Sequence, residues 1–383
     1  MRRRLAILVI ALAVLAYLAL PYARALSLVV RGADMGGSVE AFANDRAQEV
    51  TVEPATTIPT RHGDVPARFY RPSDFDRTVL LVPGIHAMGI DEPRLTGLAR
   101  DLAGSGVGVM TMALPDLTEY LITPRSTDQI EDVVAWLAAR PELAPDGRVG
   151  LIGISFAGGL SIVAAGRESI RDQVAFVLSF GGHGDLPRVI HYLCTGDAPR
   201  AEGVEHRPPH DYGVAVVLFG MAELVVPRAQ VATLRDGIRT FLWASQLTLV
   251  DRQEAEATFA KARAMAEAMP EPAATYMRHV NDRDVQALGP PLVPHISLLA
   301  GNEALSPESA PSRPAARVYL LHGADDTVIP AVESVLLARH LEGEGATVRL
   351  LLSRLITHAE VNRSAAAAET LKLVTFWASV LRQ

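Results

Sequence analysis

The sequence predicts an α/β fold with a mostly parallel sheet covered by helices on both faces. Short, continuous apolar runs that end near Gly or Pro alternate along the chain with amphipathic helical stretches. This alternation implies βαβ units, and strands without a polar face are typical of a parallel sheet buried on both sides. One interruption of roughly 130 residues, from 184 to 314, carries mainly helical patterns, far more than a crossover needs.

The N-terminus predicts a membrane-spanning helix. "MRRR" precedes an apolar run that extends over residues 5–23. At about 1.5 Å per residue such a helix is roughly 28 Å long, close to the ~30 Å of a bilayer core. The arginines are expected in the cytoplasm, which places the rest of the chain on the extracytoplasmic side. The alternative is a cleaved signal peptide with Ala23-Arg24-Ala25 as its cleavage site, after which the protein is exported.

The first part of the predicted core covers residues 32–183. Alternating residues around a turn at 62–64 predict an antiparallel hairpin, which makes the sheet mixed. Ser126 or Thr127 is the expected N-cap of a helix that Pro141 ends. In chain order, the strand and helix segments after the hairpin are "RTVLLVPG", a helix over 93–103, "VGVMTMALPD", the helix "STDQIEDVVAWLAARP", "RVGLIGIS", the helix "FAGGLSIVAAG" and "QVAFVLSFGG".

The remaining chain divides into a cap and the second part of the core. Residues 184–314 read as a mostly helical cap inserted into the sheet domain, with a Pro- and Ser-rich loop near its end. Residues 315–383 complete the core, and residues 1–31 form the predicted anchor. The last core segments are the strand "ARVYLLHG", the helix "VESVLLARHLEG", the strand "TVRLLL" and a helix over about 362–381.

Composition excludes several classes of protein. The chain has 383 residues, of which 49% are hydrophobic, so it can bury a large core. A formal charge of −7, with no basic run beyond the N-terminus, argues against nucleic-acid binding. Cys194 is the single cysteine, which excludes an intrachain disulfide and a thiolate zinc cluster.

Ser155 is the candidate nucleophile. It lies where the apolar strand "RVGLIGI" meets the small-residue helix "FAGGLSIVAAG". A serine on such a turn projects its hydroxyl above the carboxyl edge of the sheet, where ligands bind in these folds. The turn needs small residues two positions before and after the serine, and Gly153 and Ala157 meet that need. The competing interpretation is an ordinary helix N-cap.

Candidates for the acid and the base follow at later strand ends. A hydroxyl nucleophile needs an imidazole base, which in turn needs a carboxylate to orient it. Asp325 and Asp326 both follow a strand in "LLHGADDTVIP", and the residues alone do not choose between them. His358 follows the last strand. The order serine, acid, histidine is that of this type of sheet.

An oxyanion hole is expected from two backbone amides. Phe156 N–H lies at the helix start, and the loop "VPGIHAMG" supplies a second donor, which we assign to Ile85. His86 in the same loop is either a side-chain donor or a structural hydrogen-bonding residue.

These motifs resemble those of the α/β-hydrolase superfamily, with some likeness to its dienelactone hydrolase and acyl-peptidase branches. "GISFAGG" resembles the nucleophile elbow, "HGADDTVIP" the acid loop, and "THAEV" the histidine loop. The likeness covers roughly residues 51–182 and 316–383. It implies ester, thioester or amide hydrolysis without a cofactor, and it places the acid on Asp326.

The sequence departs from the superfamily pattern at three positions. Ala157 replaces the last glycine of the elbow, Pro83 precedes Gly84 where many relatives have histidine, and Ile329 stands in a valine position. Dienelactone hydrolases carry a cysteine nucleophile, so their substrate is not implied. Epoxide hydrolases use aspartate, so Ser155 excludes their chemistry.

Two further clusters invite a function. His183 and Asp185 follow a strand end on the predicted active edge and are candidates for shaping the pocket or hinging the cap. His206, His210 and Asp211 lie in a Pro-rich stretch without a further ligand cluster, so no metal site is predicted.

The sequence therefore predicts a membrane-tethered serine hydrolase with a catalytic triad of Ser155, Asp326 and His358. Its expected substrate is a small-molecule or lipid ester, and no cofactor, metal or nucleic acid is expected. An acyltransferase with the same triad and a non-catalytic binding protein on the same fold are the alternatives. Acyl preference and oligomeric state do not follow from the sequence.

Overall fold

A computed structural model describes residues 2–33, 37–200, 203–248, 250–356 and 367–383. Its strands are β1 (Val50–Val52), β2 (Thr56–Ile58), β3 (Val65–Pro72), β4 (Thr78–Val82), β5 (Gly108–Met112), β6 (Val149–Ile154), β7 (Val174–Phe180), β8 (Asp197–Pro199), β9 (Val204–His206), β10 (Arg317–Gly323) and β11 (Val348–Ser353).

The helices are numbered in the same way. They are α1 (Arg2–Gly32), α2 (Gly37–Asn44), α3 (Pro93–Gly104), α4 (Pro115–Thr118), α5 (Pro124–Ala138), α6 (Phe156–Gly166), α7 (Leu186–Thr195), α8 (Asp211–Val225), α9 (Arg228–Leu247), α10 (Arg252–Ala268), α11 (Ala273–Asp282), α12 (Val285–Leu292), α13 (Ile296–Ala300), α14 (Val332–Gly343) and α15 (Ala367–Val380).

One sheet organises the described residues. Its strand order is β1-β3-β5-β4-β6-β7-β10-β11, with β2 paired to β3. The pairs made by β3 are antiparallel, and those from β5 through β11 are parallel. The predicted α/β class with a mostly parallel sheet is therefore confirmed. The carboxyl ends of β4, β6, β7, β10 and β11 meet along one edge.

Apolar clusters cover both faces of the sheet. On one face α1, α3 and α15 pack against the strands, and on the other α5, α6 and α14 do so. The central strands β4 and β5 are buried at every position, as their unbroken apolar runs predicted. Between β7 and β10 the chain forms α7–α13 and the small hairpin β8–β9. These helices belong to the same apolar cluster as α5, α6 and α14.

Helix α5 begins earlier than predicted. Thr123 is its N-cap residue, and Pro124 occupies the first turn, where a missing N–H costs nothing. Ser126 and Thr127, the predicted caps, are buried inside the helix, and Thr127 Oγ1 donates to Ala304 O at 2.7 Å. The hydroxyl expected to cap the helix thus ties it to the segment before β10.

The predicted membrane anchor is corrected by the structure. In the described ranges no helix combines the length and the apolar character needed to cross a bilayer. Instead, Ala25, Leu28 and Val29 of α1 are buried in the cluster that α1 forms with α3 and α15. The side chain of Arg31 is 6% exposed and bonds Asp101 Oδ1 at 2.9 Å and Asp101 O at 2.7 Å. The predicted location, a single-pass membrane protein with an extracytoplasmic catalytic domain, is therefore contradicted.

Candidate active site

Ser155 lies on a strained turn between β6 and α6. Its backbone has φ 54° and ψ −131°, a region that residues other than glycine rarely adopt. Two hydrogen bonds fix the turn: Ser155 N–H donates to Phe180 O at 2.8 Å, and Gly158 N–H donates to Ser155 O at 2.8 Å. The serine is only 7% exposed, so the strain is held by tightly packed surroundings.

The neighbours of Ser155 are small because the backbone segments nearly touch. A β-carbon at Gly153 would overlap Ala157 O, and one at Gly158 would overlap Ser179 Oγ. Across the turn, a β-carbon at Gly84 would lie 2.9 Å from Ser155 Cβ. Ala157 is fully buried at the last position of the turn, so its single methyl group is accommodated.

The two candidate acids have opposite environments. Asp326 is 1% exposed, and its Oδ1 accepts hydrogen bonds from Val328 N at 2.8 Å and Ile329 N at 3.0 Å. Asp325 is exposed and lines the cavity described below. Asp326 is thus the acid whose orientation is fixed.

His322 supports the acid loop and was missed by the sequence analysis. Its Nε2–H donates to Ile329 O at 2.8 Å, and its Nδ1 accepts from Ser334 Oγ at 2.7 Å. The fully buried ring also lies 3.6 Å from Asp326 Oδ2, measured from Nε2. Both ring nitrogens are therefore used in holding the loop in place. The signal in the sequence that could have revealed His322 was its place at the start of the acid-loop motif "HGADDTVIP".

His358, the predicted base, lies outside the described residues. Its segment follows Ile356, which lines the same cavity as Ser155.

The predicted oxyanion donors come directly after two residues that approach each other closely. Ile85 follows Gly84, and Phe156 follows Ser155. In the described part of the chain, neither Ile85 N–H nor Phe156 N–H makes a hydrogen bond. Nearby, His86 Nδ1 accepts a hydrogen bond from Met88 N–H at 3.3 Å, so the ring proton belongs on Nε2. Burial lowers the pKa of His86 to about 4, which keeps this ring neutral.

A cavity of about 1230 Å³ covers the carboxyl edge of the sheet above Ser155. Ile85, His86 and Phe156 line it close to the serine. Most of the wall under the inserted helices is aliphatic and comprises Ile122, Ile190, Leu193, Val216, Val217, Leu242 and Leu299. The lining also includes Leu28 and Val29 of α1 and Trp377 of α15. The inserted helices and the N-terminal helix thus both contribute walls.

Backbone strain concentrates around this cavity. Among the described residues, the non-glycine positions with positive φ are Tyr120, Ser155 and Arg283. All three line the cavity. Such conformations cost free energy and tend to cluster at functional sites.

His183 and Asp185 make structural contacts beside the cavity. His183 is fully buried, its Nε2 donates to Leu305 O at 2.7 Å, and burial lowers its pKa to about 4. Asp185 caps α7 by accepting from Arg188 N at 2.8 Å. Neither residue is among those that line the cavity. Arg188 in turn bonds Glu333, which is 1% exposed, and so ties α7 to α14.

The Pro-rich stretch that contains His206, His210 and Asp211 makes ion pairs. His206 bonds Asp197 at 3.0 Å, and Asp211 bonds Arg283 at 2.5 Å. Contacts with His210 and Arg283 lower the pKa of Asp211 to about 2. Across the described ranges, no group of three or more His, Cys, Asp or Glu side chains could hold a metal ion. Burial raises the pKa of Cys194 to about 12, so this thiol is not an activated nucleophile.

The fold was compared with known proteins. No protein-family model matches the sequence, and the comparison with curated proteins gave no match. Solved structures with a similar fold include an esterase from Pyrobaculum calidifontis (18% identity, 92% of this chain, 91% of that chain, TM-score 0.48).

Two others are carboxyl esterase 2 from Tuber melanosporum (14% identity, 88% of this chain, 87% of that chain, TM-score 0.47) and the acylaminoacyl peptidase of Pyrococcus horikoshii (13% identity, 90% of this chain, TM-score 0.49). This chain covers 44% of the peptidase. The mostly parallel sheet and the strained turn at Ser155 agree with the fold that the sequence predicts.

Proposed function

We propose that this protein is a serine hydrolase that cleaves a carboxylic ester through an acyl-enzyme intermediate. The observation that carries the proposal is Ser155 itself. A serine with φ 54° at the end of a central parallel strand is held at the wall of a large cavity, part of which is aliphatic. A strained strand-to-helix turn of this kind exposes a nucleophile to substrate.

In the proposed mechanism, Ser155 Oγ attacks the acyl carbonyl carbon while His358 accepts the hydroxyl proton. Asp326 fixes the tautomer of His358 and stabilises the imidazolium that forms. The N–H groups of Ile85 and Phe156 stabilise the negative oxygen of the tetrahedral intermediate. His358 then returns the proton to the leaving alkoxide, and water releases the acid by the same steps.

The cavity wall favours a substrate with an apolar chain. Seven aliphatic side chains under the inserted helices would remove the chain from water, and each buried methylene contributes about 0.8 kcal/mol. The charged part of the lining, which includes Arg94, Arg283 and Asp325, is distinct from these seven side chains. We therefore propose esters with aliphatic acyl or alcohol parts as substrates.

The first test replaces Ser155 with Ala. Hydrolysis of 4-nitrophenyl esters of increasing acyl length should fall by about 10⁴-fold or more, and labelling by a fluorophosphonate probe should be lost. The matched control is Ser161→Ala on the same helix, because that serine is fully buried and does not line the cavity. This control should label like the wild type. Hydrolysis that survives in Ser155→Ala would overturn the proposal.

A further inference from the structure

Gln246 connects the inserted helices to the loop that carries the predicted oxyanion donor Ile85. It lies near the end of α9, its side chain is half-buried, and it lines the cavity. Gln246 Oε1 accepts a hydrogen bond from Ala87 N–H at 3.4 Å, across 159 positions of sequence. The hydrogen-bond acceptor for Ala87 N–H therefore comes from α9, which is distant in sequence, and not from the loop itself.

The loop over residues 85–88 has few other restraints. Met88 N–H donates to His86 Nδ1 at 3.3 Å, and Gly89 N–H donates to His86 O at 3.1 Å. Both bonds are internal to the loop and its following turn. Among the described residues, the Gln246 bond is the one by which an N–H of residues 85–88 reaches another element.

The side chain of Gln246 also lies near the hydroxyl of Tyr120, and both residues line the cavity. Tyr120 is 2% exposed, and in the described structure its hydroxyl has no hydrogen-bond partner within 3.5 Å. Its ring packs edge-on against Phe219 at a centroid distance of 6.1 Å, and its backbone φ is 62°. The ring is thus fixed by packing on a strained backbone, and the Gln246 amide is a neighbouring donor for its hydroxyl.

We propose that Gln246 is a positioning residue for the oxyanion loop. Its Oε1 holds Ala87 N–H, its amide N–H donates to the Tyr120 hydroxyl, and both contacts shorten when substrate fills the cavity. Hydrogen bonds in substrate-free active sites are often long and tighten in the complex. The inference rests on the proposed hydrolase function, because the loop matters through Ile85 N–H.

The decisive variant is Gln246→Met, which keeps the length and packing of the side chain but removes the acceptor. We expect kcat for a 4-nitrophenyl ester to fall about 10-fold while KM changes less than about 2-fold, since a displaced oxyanion donor costs less than a deleted one. Hydrogen exchange at the Ala87 amide, followed by mass spectrometry with residue resolution, should become faster. Gln246→Glu keeps an acceptor oxygen and should restore the slow exchange.

Gln230→Leu is the matched control. Gln230 lies at the other end of α9, bonds Ala273 N and Glu271 O, and does not line the cavity. Its loss should leave kcat and the exchange of Ala87 unchanged. The proposal is overturned if Gln246→Met leaves either kcat or the Ala87 exchange at the wild-type value. If ester hydrolysis instead survives in Ser155→Ala, the proposed function fails, and the exchange measurement still decides the role of Gln246.

Discussion

The turn that carries Ser155 and the loop that carries Ile85 face each other across Gly84, yet they are held in different ways. Ser155 is 7% exposed and is surrounded by Gly153, Ala157 and Gly158, where no further atom fits. Ile85 is half-buried, and its loop is held by long hydrogen bonds and by a side chain from α9.

This difference shows how the Ser155 turn and the Ile85 loop are each held in position. The turn is enclosed by its own small residues and by Gly84, Ser179 and Phe180 of neighbouring strand ends, so its strain is supported by packing that cannot relax. The loop depends on a distant helix and can adjust. Changes on the packed side should therefore cost stability and activity, whereas changes in the loop should cost activity alone.

The largest expected effect is on activity and lies at Asp326, the buried acid in the loop after β10. Asp326→Asn should lower kcat by about 10⁴-fold, because an amide cannot orient and stabilise the base as a carboxylate does. Asn can still accept from Val328 N and Ile329 N, so thermal unfolding should show a folded protein. Asp325→Asn should change kcat by less than about 3-fold, since Asp325 is exposed. Equal losses in steady-state assays of the two variants would contradict this assignment.

A second expected effect is a pH dependence of stability from His183. Burial lowers its pKa from 6.5 to about 4, so the folded state favours the neutral ring. The stability from this group is complete above pH 6.5 and is lost as the pH falls, by about 3 kcal/mol at pH 4.

The check compares urea unfolding of the wild type and His183→Gln at pH 7, 5.5 and 4. Gln can still donate to Leu305 O but does not titrate, so the variant should lose less stability in acid. His86 and the carboxylates are common to both proteins, and their contributions cancel in the comparison. Parallel pH curves for the two proteins would contradict the prediction.

A third prediction compares a glycine of the Ser155 turn with a glycine elsewhere in the fold. Gly153→Ala should lower the free energy of unfolding by about 1–3 kcal/mol and should also reduce kcat, because the new methyl group overlaps Ala157 O. Gly97→Ala in α3 is the control for stability. Nothing lies within 4 Å of its new β-carbon, so it should stabilise the helix by about 0.5–1 kcal/mol. Unfolding curves that place both variants on the same side of the wild type would refute this contrast.

The smallest effect on stability is expected in the loop. Gly84→Ala places a β-carbon 2.9 Å from Ser155 Cβ and 3.2 Å from Ile154 O, so the loop must move away. We expect kcat to fall about 10-fold through displacement of the Ile85 donor. The midpoint of urea unfolding should stay close to that of the wild type, because a half-exposed loop relaxes. A loss of stability as large as that of Gly153→Ala would show that the loop is packed as tightly as the turn.

Much of the architecture could be predicted because buried parallel strands have an unmistakable pattern. The runs "RTVLLVPG" and "RVGLIGIS" became β4 and β6, and the small residues around Ser155 became a strained turn. The N-terminal prediction was wrong for a physical reason. Hydropathy measures how apolar a segment is, but it does not tell how the helix that contains the segment packs. Beyond the predicted span, Ala25, Leu28 and Val29 of the same helix are buried against α3 and α15.

The sequence by itself determined the class of sheet, the position of Ser155 on it and the small residues that its turn requires. Each of these features has a local signature, namely unbroken apolar runs for buried parallel strands and small residues on both sides of Ser155. Only the tertiary structure distinguished the buried Asp326 from the exposed Asp325, brought His322 against the acid loop and placed Gln246 against Ala87. Burial and contacts between distant segments arise from the packing of the whole chain, so no local pattern could reveal them.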